Sequence, residues 1–328
     1  MMQIVFLLLL VAVLQVALSY SQNELVLQPD VQFVVKTNPP NLKASDLPVS
    51  LDYRTKGLLT TDLNQHIPVY CGSCWAHAAF STIADRIKIL TKGQQRDVIP
   101  SVQALINCGS AGSCNGGDSA AAFAWVYKNS IPDVTCQQYQ AKNMECSEIN
   151  TCMNCAPGGA ACVAVPSGEY PAITLSEYGG VKGDDNIMSE IFERGPVAAY
   201  INANCIECYT GGINMYETFS RMTNHSTQIN GWGTENGTDY WIGRNSWGTY
   251  WGEHGFFRIV RGGRYNVGTA YWAVPNVPDF YISRSRRHRG TFPNLSVGVN
   301  FSGSLLHESF LLTRHVHIIL FTLNLLRF

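Results

Sequence analysis

A short segment, residues 65 to 77, carries side chains whose types and spacing would suit covalent catalysis by a thiol. It reads Gln-His-Ile-Pro-Val-Tyr-Cys-Gly-Ser-Cys-Trp-Ala-His. Cys74 is a candidate nucleophile, because a cysteine attacks a carbonyl carbon once its thiol is ionised. Gln65 is a candidate oxyanion donor, because its amide N–H could hydrogen-bond to the negative charge that develops on the attacked oxygen. The segment therefore predicts acyl transfer through a covalent cysteine intermediate.

Two residues far downstream could complete this catalytic group. His225 lies 151 positions after Cys74, and Asn245 lies 20 positions further, within Arg-Asn-Ser-Trp-Gly. His225 would exchange a proton with the thiol, and the Asn245 side chain would orient the imidazole. A structural role stays open for Cys74, since cysteines of secreted chains usually form disulfides. The chain has 11 cysteines, an odd number that leaves one thiol over, and we expect Cys74 to be that thiol.

A thiolate at Cys74 needs an element that lowers the thiol pKa, and the sequence that follows predicts a helix. Apolar residues recur at steps of three and four, at Ala76, Phe80, Ile83, Ile87 and Leu90. Lys92 and Gly93 are typical of a helix C-terminus. We therefore expect Cys74 in the first turn of a helix of about 17 residues, where the helix dipole and free backbone N–H groups favour a thiolate.

These motifs resemble those of the papain family of cysteine peptidases. The resemblance implies an α+β, papain-like fold of two lobes, a helical left lobe and a β-barrel-like right lobe, with the active-site cleft between them. It implies that Trp247 shields the His–Asn hydrogen bond from water. It also implies that Gly116 and Gly117, in Cys-Asn-Gly-Gly, line the cleft so that a substrate backbone can hydrogen-bond there as an added strand.

An insertion separates Gln65 from Cys74 by nine positions, three more than is usual in the family. The inserted His-Ile-Pro resembles the cathepsin X/Z group of the family, whose members are carboxypeptidases. By that resemblance His66 would bind the free C-terminal carboxylate of the substrate, Tyr70 would support it, and one residue would be released per cut. An imidazolium can bind a carboxylate in this way, so activity would need mildly acidic conditions. The alternative is a surface loop in which His66 has no role.

The resemblance also implies disulfide bonds from Cys71 to Cys114 and from Cys108 to Cys136. The sequence does not reveal the connectivity of the other cysteines of the loop that follows. We expect pairing among Cys146, Cys152, Cys155 and Cys162. Cys205 and Cys208 are unusual for the family and could form a local disulfide or stay free.

The 328 residues divide into four predicted regions. Residues 1–21 contain an unbroken apolar run and read as a signal peptide; residues 22–46 read as a short propeptide. Residues 47–275 form the peptidase domain, and residues 276–328 are an atypical C-terminal extension. The extension could be removed by processing, could be a poor anchor signal or could be an artefact of the gene sequence, and no stable membrane span is expected from it. The short propeptides of the cathepsin X/Z group carry a cysteine that caps the catalytic cysteine, but no cysteine precedes Cys71 here.

The composition is ordinary, with 46% hydrophobic and 14% charged residues and a net charge of −1, and nothing suggests a nucleic-acid partner. The expected partners are proteins and peptides with a free C-terminus, without a cofactor or metal, in a lysosome or an extracellular digestive space. Two alternatives remain. One is a papain-like endopeptidase or dipeptidyl-releasing enzyme; the other is an inactive papain-fold binding or storage protein. The polar run after His225 motivates the second, because Gln228 and Asn230 would be costly to bury without partners.

Overall fold

The computed structural model describes residues 23–159, 161–215, 222–262 and 267–276. The predicted signal peptide, residues 1–21, and all of the predicted extension 276–328 except Asn276 lie outside the described residues. Within the described ranges, no helix is long and apolar enough to cross a membrane.

One helix begins at the candidate nucleophile Cys74, and another follows directly after Gly116 and Gly117. The described α-helices are α1 (Cys74–Leu90), α2 (Val102–Cys108), α3 (Ser119–Asn129), α4 (Glu148–Thr151) and α5 (Asp184–Arg194). The first has the 17 residues expected and begins at Cys74. Helix α2 begins after Ser101, whose hydroxyl accepts the N–H of Ala104. Asp118 caps α3 in the same way, accepting from Ala120 and Ala121.

The strands form one large sheet and two small hairpins. In chain order they are β1 (Leu51–Asp52), β2 (Gly112–Ser113), β3 (Gly116–Gly117), β4 (Ile131–Pro132), β5 (Met153–Cys155), β6 (Cys162–Ala164), β7 (Ala172–Lys182), β8 (Val197–Ile201), β9 (Ile213–Asn214), β10 (His225–Glu235), β11 (Thr238–Arg244), β12 (Phe256–Val260) and β13 (Thr269–Asn276). The large sheet runs β4-β7-β13-β8-β10-β11-β12-β9, with β1 paired to β10. The fold is α+β as expected, but the described strands form an open path and not a closed barrel.

Two hydrophobic cores lie on the two sides of the catalytic elements. One is built around Trp75, Phe80 and Phe123 and joins the helices to one end of the sheet. The other is built around Trp232 and Trp241 and fills the opposite side of the sheet. Because α1 is buried from its first residue through most of its length, the position of Cys74 is fixed by packing on several sides.

The polar run on β10 is buried over a network of charged side chains. Gln228 donates a 2.8 Å hydrogen bond to Asp85 on α1, and Asp85 lies 3.3 Å from the guanidinium of Arg244. Gly243 faces Phe257 so closely that a Cβ at this position would lie 2.2 Å from the ring. The core is therefore locally rebuilt around this strand, although both polar atoms of the buried Asn230 side chain have no hydrogen-bond partner among the described residues.

The cysteine-rich loop differs from the expected pairing. Cys71 is bonded to Cys114, as the resemblance implied. Cys108, however, is bonded to Cys146, and Cys136 is bonded to Cys152, so the expected Cys108–Cys136 bond is wrong. The physical reason is the short α4, which packs against α2 and brings the loop's middle cysteines beside Cys108 and Cys136. The one further bond among the described residues joins Cys155 to Cys162, so the expected pairing among the four loop cysteines is right for this pair and wrong for Cys146 and Cys152. Cys208 is free and exposed.

Candidate active site

The candidate nucleophile lies where α1 packs against β10, the place at which the family resemblance puts the active-site cleft. Cys74 is the first residue of α1, and its side chain is fully buried with a free thiol. The backbone N–H of Ser226, on β10, lies 3.3 Å from its Sγ. Gly72 lets the backbone just before Cys74 pass close to Cys114, because a Cβ at Gly72 would lie 3.0 Å from the carbonyl oxygen of Cys114. The thiol therefore sits at the first turn of a rigid helix, directly beside the strand that carries His225.

The structure brings His225 and Asn245 together across β10 and the end of β11. The His225 Nε2 donates to Asn245 Oδ1 over 2.8 Å, and this oxygen also accepts the N–H of Ser246 over 2.8 Å. The second ring nitrogen, Nδ1, lies 3.1 Å from a carboxylate oxygen of Glu24. Both ring nitrogens face acceptor oxygens, so a ring that carries a proton on each nitrogen can donate a hydrogen bond to both of them. The ring of Trp247 lies 5.0 Å from the His225 ring and covers it on one side.

The side chain of Gln65 is held in one orientation. The Ser246 hydroxyl donates to Gln65 Oε1 over 2.6 Å, which directs the amide Nε2 towards the cleft. This Nε2 donates to the carbonyl oxygen of Cys71 over 3.0 Å and to both carboxylate oxygens of Glu24. Ser246 thus contacts both Gln65 and Asn245. Ser246 was not predicted from the sequence, where the one indication of its role is its position directly after Asn245.

The backbone of Gly116 and Gly117, where a substrate is expected to pair, is hydrogen-bonded to the N-terminal part of the chain itself. The N–H of Gly117 donates to the carbonyl oxygen of Glu24 over 3.1 Å, and the N–H of Val26 donates to the carbonyl oxygen of Gly117 over 3.1 Å. Residues around Leu25 therefore run parallel to β3 as an added strand. A Cβ at Gly116 would lie 2.8 Å from the Glu24 carbonyl oxygen, so this close approach needs glycine.

The Glu24 carboxylate is the functional group that sequence reasoning missed altogether. It is almost fully buried in the cleft, and besides His225 and Gln65 it accepts a 2.8 Å hydrogen bond from the hydroxyl of Tyr70. One candidate ligand atom from each of Glu24, Cys74 and His225 lies within 4.8 Å of the others, the one such set among the described residues that could hold a metal ion. No pattern in the sequence around Glu24 marks it as a site residue.

Charge and burial set the protonation of these groups. Burial alone would raise the pKa of Glu24, but the hydrogen bonds and charge of His225, with Gln65 and Tyr70, lower it to about 2. Burial, with the negative charge of Glu24, raises the pKa of the Cys74 thiol well above its usual value. The thiol is therefore protonated while the carboxylate is beside it, which opposes the effect of the helix dipole.

The inserted loop places His66 and Tyr70 next to Gln65. Their rings stack with centroids 4.7 Å apart and planes inclined by 10°. The His66 Nδ1 is buried and has no hydrogen-bond partner in the part of the chain that the structure describes. The backbone N–H of His66 donates to the Asn64 side-chain oxygen over 2.9 Å. Burial lowers the pKa of His66, which the charge of Glu24 partly offsets. The loop thus offers an unsatisfied imidazole and a phenol at one end of the cleft.

Comparisons with known proteins point to one family. The family model for papain family cysteine proteases matches residues 47–275. Cathepsin Z of Onchocerca volvulus is 41% identical over 237 residues, covering 70% of this chain and 76% of that protein. Cathepsin B-like cysteine proteinase 4 of Caenorhabditis elegans is 30% identical over 274 residues, covering 76% of this chain and 80% of that protein. The solved structure of digestive procathepsin L2 proteinase from Tenebrio molitor larval midgut matches with a TM-score of 0.61 at 28% identity, covering 77% of this chain and 78% of that one.

Proposed function

Since the chain belongs to the papain family of cysteine proteases, we propose that it is a carboxypeptidase that removes single C-terminal residues from proteins and peptides. The observation that carries this proposal is the inserted loop, where His66 has a buried ring nitrogen with no hydrogen-bond partner among the described residues, next to the proposed oxyanion donor Gln65. The relative named Cathepsin Z supports it at 41% identity.

The first half of the reaction is acylation. The Cys74 thiol gives its proton to His225, and the thiolate attacks the last peptide carbonyl of the substrate. The negative charge on the carbonyl oxygen is stabilised by the Gln65 side-chain N–H and the backbone N–H of Cys74. The imidazolium then protonates the leaving amine, the C–N bond breaks, and the terminal amino acid departs. Asn245 keeps the imidazole in the orientation that both proton transfers need.

The second half is hydrolysis of the thioester. His225 takes a proton from a water molecule, and the resulting hydroxide attacks the acyl carbon. The C–S bond breaks, Cys74 leaves as a thiolate and recovers the proton held by His225. The shortened peptide is released as a carboxylic acid, whose backbone had paired with Gly116 and Gly117 during the reaction.

The loop would restrict this chemistry to chain ends. A protonated His66 binds the C-terminal carboxylate of the substrate by a charge-assisted hydrogen bond, and Tyr70 supports it. With the carboxylate fixed there, only the last peptide bond reaches Cys74. An internal segment of a protein would leave the desolvated imidazolium without a partner, which disfavours internal cutting.

We further propose that the protein works after entering the secretory pathway, in a lysosome or an acidic extracellular space. Four disulfides in the described part of the chain support this, since such bonds persist in oxidising compartments. Residues 47–275 would be the active domain, with residues 22–46 removed as a propeptide.

The test is to follow the products of an N-blocked peptide by mass spectrometry after the propeptide has been removed, at about pH 5 with a reductant. Successive masses that each lack one more C-terminal residue support the proposal, and Cys74→Ala must abolish them. Fragments cut internally would instead indicate an endopeptidase, and two-residue losses would indicate a dipeptidyl-releasing enzyme.

A further inference from the structure

The side chain of Glu24 engages the groups that the reaction needs to have free. Its two carboxylate oxygens accept 3.0 and 3.1 Å hydrogen bonds from Gln65, the oxyanion donor. One oxygen lies 3.1 Å from the Nδ1 of His225, the atom that must exchange a proton with Cys74. The other accepts from the hydroxyl of Tyr70. A negative charge therefore occupies the position where the reaction develops one.

This placement is fixed by the backbone on both sides of the side chain. The Glu24 N–H donates to the carbonyl oxygen of Asn224 over 2.9 Å, and its carbonyl oxygen accepts from Gly117. Further along, Glu177 accepts the N–H groups of Lys36 and Thr37 over 2.8 and 2.9 Å. The segment is thus attached to both the helical and the sheet side of the molecule, and the Glu24 carboxylate is not a loose surface contact.

We propose that Gln65, Tyr70 and His225 form a carboxylate-binding site at the catalytic centre, and that Glu24 fills this site in the unprocessed chain as a built-in inhibitor. A carboxylate is the right ligand class, because the three donors supply N–H and O–H groups and a positive charge while offering no acceptor to it. No cysteine precedes Cys71, so a covalent cap on Cys74 cannot come from this segment. The inference rests on the peptidase chemistry of Cys74 but not on the carboxypeptidase specificity.

Mild acid would leave the inhibitor in place. The pKa of Glu24 falls from its ordinary value of 4.5 to about 2. The stabilisation that its charge gives to the segment is therefore fully present above about pH 4.5 and is lost only as the pH falls towards about 2. The titratable groups that face the carboxylate or feel its charge are Tyr70, Cys74, His225, His66, His77 and Tyr139. Activity therefore depends on removal of the segment and not on acidification alone.

The experiment measures the reaction of Cys74 with dipyridyl disulfide in the full, unprocessed chain at about pH 5, with the site located by peptide mapping. Cys208, free and exposed, is the internal reference thiol. Glu24→Gln keeps the size of the side chain and removes its charge. We expect it to raise the rate at Cys74 by about tenfold or more, since hydrogen bonds to a charged group are lost. Asp30→Asn, the same exchange at an exposed position of the same segment, should leave the rate unchanged.

Two outcomes would overturn the inference. One is a rate at Cys74 in Glu24→Gln equal to that of the wild type, while the processed enzyme reacts at Cys74 and cleaves peptides. The other is an equal increase in Asp30→Asn, which would indicate general loosening of the segment. Internal cutting by the processed enzyme would contradict the carboxypeptidase proposal and leave this inference standing, so the two failures are distinguishable.

A second measurement is independent of how the Glu24 variant folds. A capped peptide with the sequence of residues 23–28, Asn-Glu-Leu-Val-Leu-Gln, is added to the processed enzyme as an inhibitor. Competitive inhibition about tenfold stronger than that of the same peptide with Gln in place of Glu supports a carboxylate-binding site. Equal inhibition by the two peptides would contradict it.

Discussion

The Ser246 hydroxyl donates a 2.6 Å hydrogen bond to the side-chain oxygen of Gln65, and this bond fixes the direction of the amide that we propose as the oxyanion donor. The bond matters because an amide can rotate and present its oxygen, which would repel the developing negative charge. Ser246 touches neither Cys74 nor the substrate in the proposed reaction, so it acts as a positioning residue.

Ser246→Ala is therefore expected to lower kcat by about tenfold with little change in KM, because a buried amide oxygen loses its partner and the donor loses its fixed direction. Gln65→Ala should cost about 100- to 1,000-fold in kcat, the usual range for an oxyanion donor. Steady-state kinetics of the processed enzyme measure both. Ser246→Thr keeps the hydroxyl and should restore most of the activity; a loss equal to that of the alanine variant would contradict the positioning role.

His66→Asn should reduce kcat/KM for peptides with a free C-terminus by about 10- to 100-fold, because a charge-assisted hydrogen bond is lost. Peptides with an amidated C-terminus should be affected little. Asn replaces the imidazole by a neutral side chain of similar size. Equal losses on both kinds of peptide would mean that His66 acts on the reaction itself and not on the carboxylate.

The pH dependence follows from the same residue. Burial lowers the pKa of His66, and only the protonated ring binds a carboxylate by charge. Binding of free-acid peptides should therefore weaken as the pH rises through that pKa, with the loss complete by about neutral pH. A rise in KM with pH in the wild type, absent in His66→Asn, is the expected result. The same rise in both enzymes would assign the effect to another group.

Asp85 ties the polar strand β10 to α1, since it accepts from Gln228 and pairs with Arg244. Asp85→Asn removes the charge and leaves the buried Arg244 with Asp62 as its ion-pair partner, so the free energy of unfolding should fall by about 1.5–3 kcal/mol. Urea denaturation measures it. The control is Asp97→Asn, which breaks a half-exposed pair with Lys88 and should cost about 1 kcal/mol or less. Similar losses in both variants would contradict the role of the network.

The disulfides can be checked directly by non-reducing peptide mapping. We expect fragments that join Cys108 to Cys146 and Cys136 to Cys152. A fragment that joins Cys108 to Cys136 would return the connectivity to the one expected from the family resemblance.

The sequence predicted what depends on local pattern or on a recognisable motif. The helix that begins at Cys74 followed from the spacing of its apolar residues, and the meeting of Cys74 with His225 and Asn245 followed from the resemblance. Glu24 could not be predicted, because its contact with His225 spans 201 positions and an acidic residue in this segment carries no signal.

The disulfide connectivity could not be read either, since several cysteines lie close together in the loop after Cys136 and the packing of α4 selects among the pairings. The polar strand after His225 motivates the alternative of an inactive papain-fold protein, because its polar side chains would be costly to bury without partners. The partner that Gln228 finds for its buried amide is Asp85, which lies on another element, so a local sequence pattern cannot reveal the contact.

The most direct test of the carboxypeptidase proposal compares the free-acid and C-terminally amidated forms of one N-blocked peptide, cleaved by the processed enzyme at about pH 5. We expect loss of one residue from the free acid, at least about tenfold slower cleavage of the amide, and no cleavage of either by Cys74→Ala. Equal cleavage of the two forms at internal bonds would contradict it.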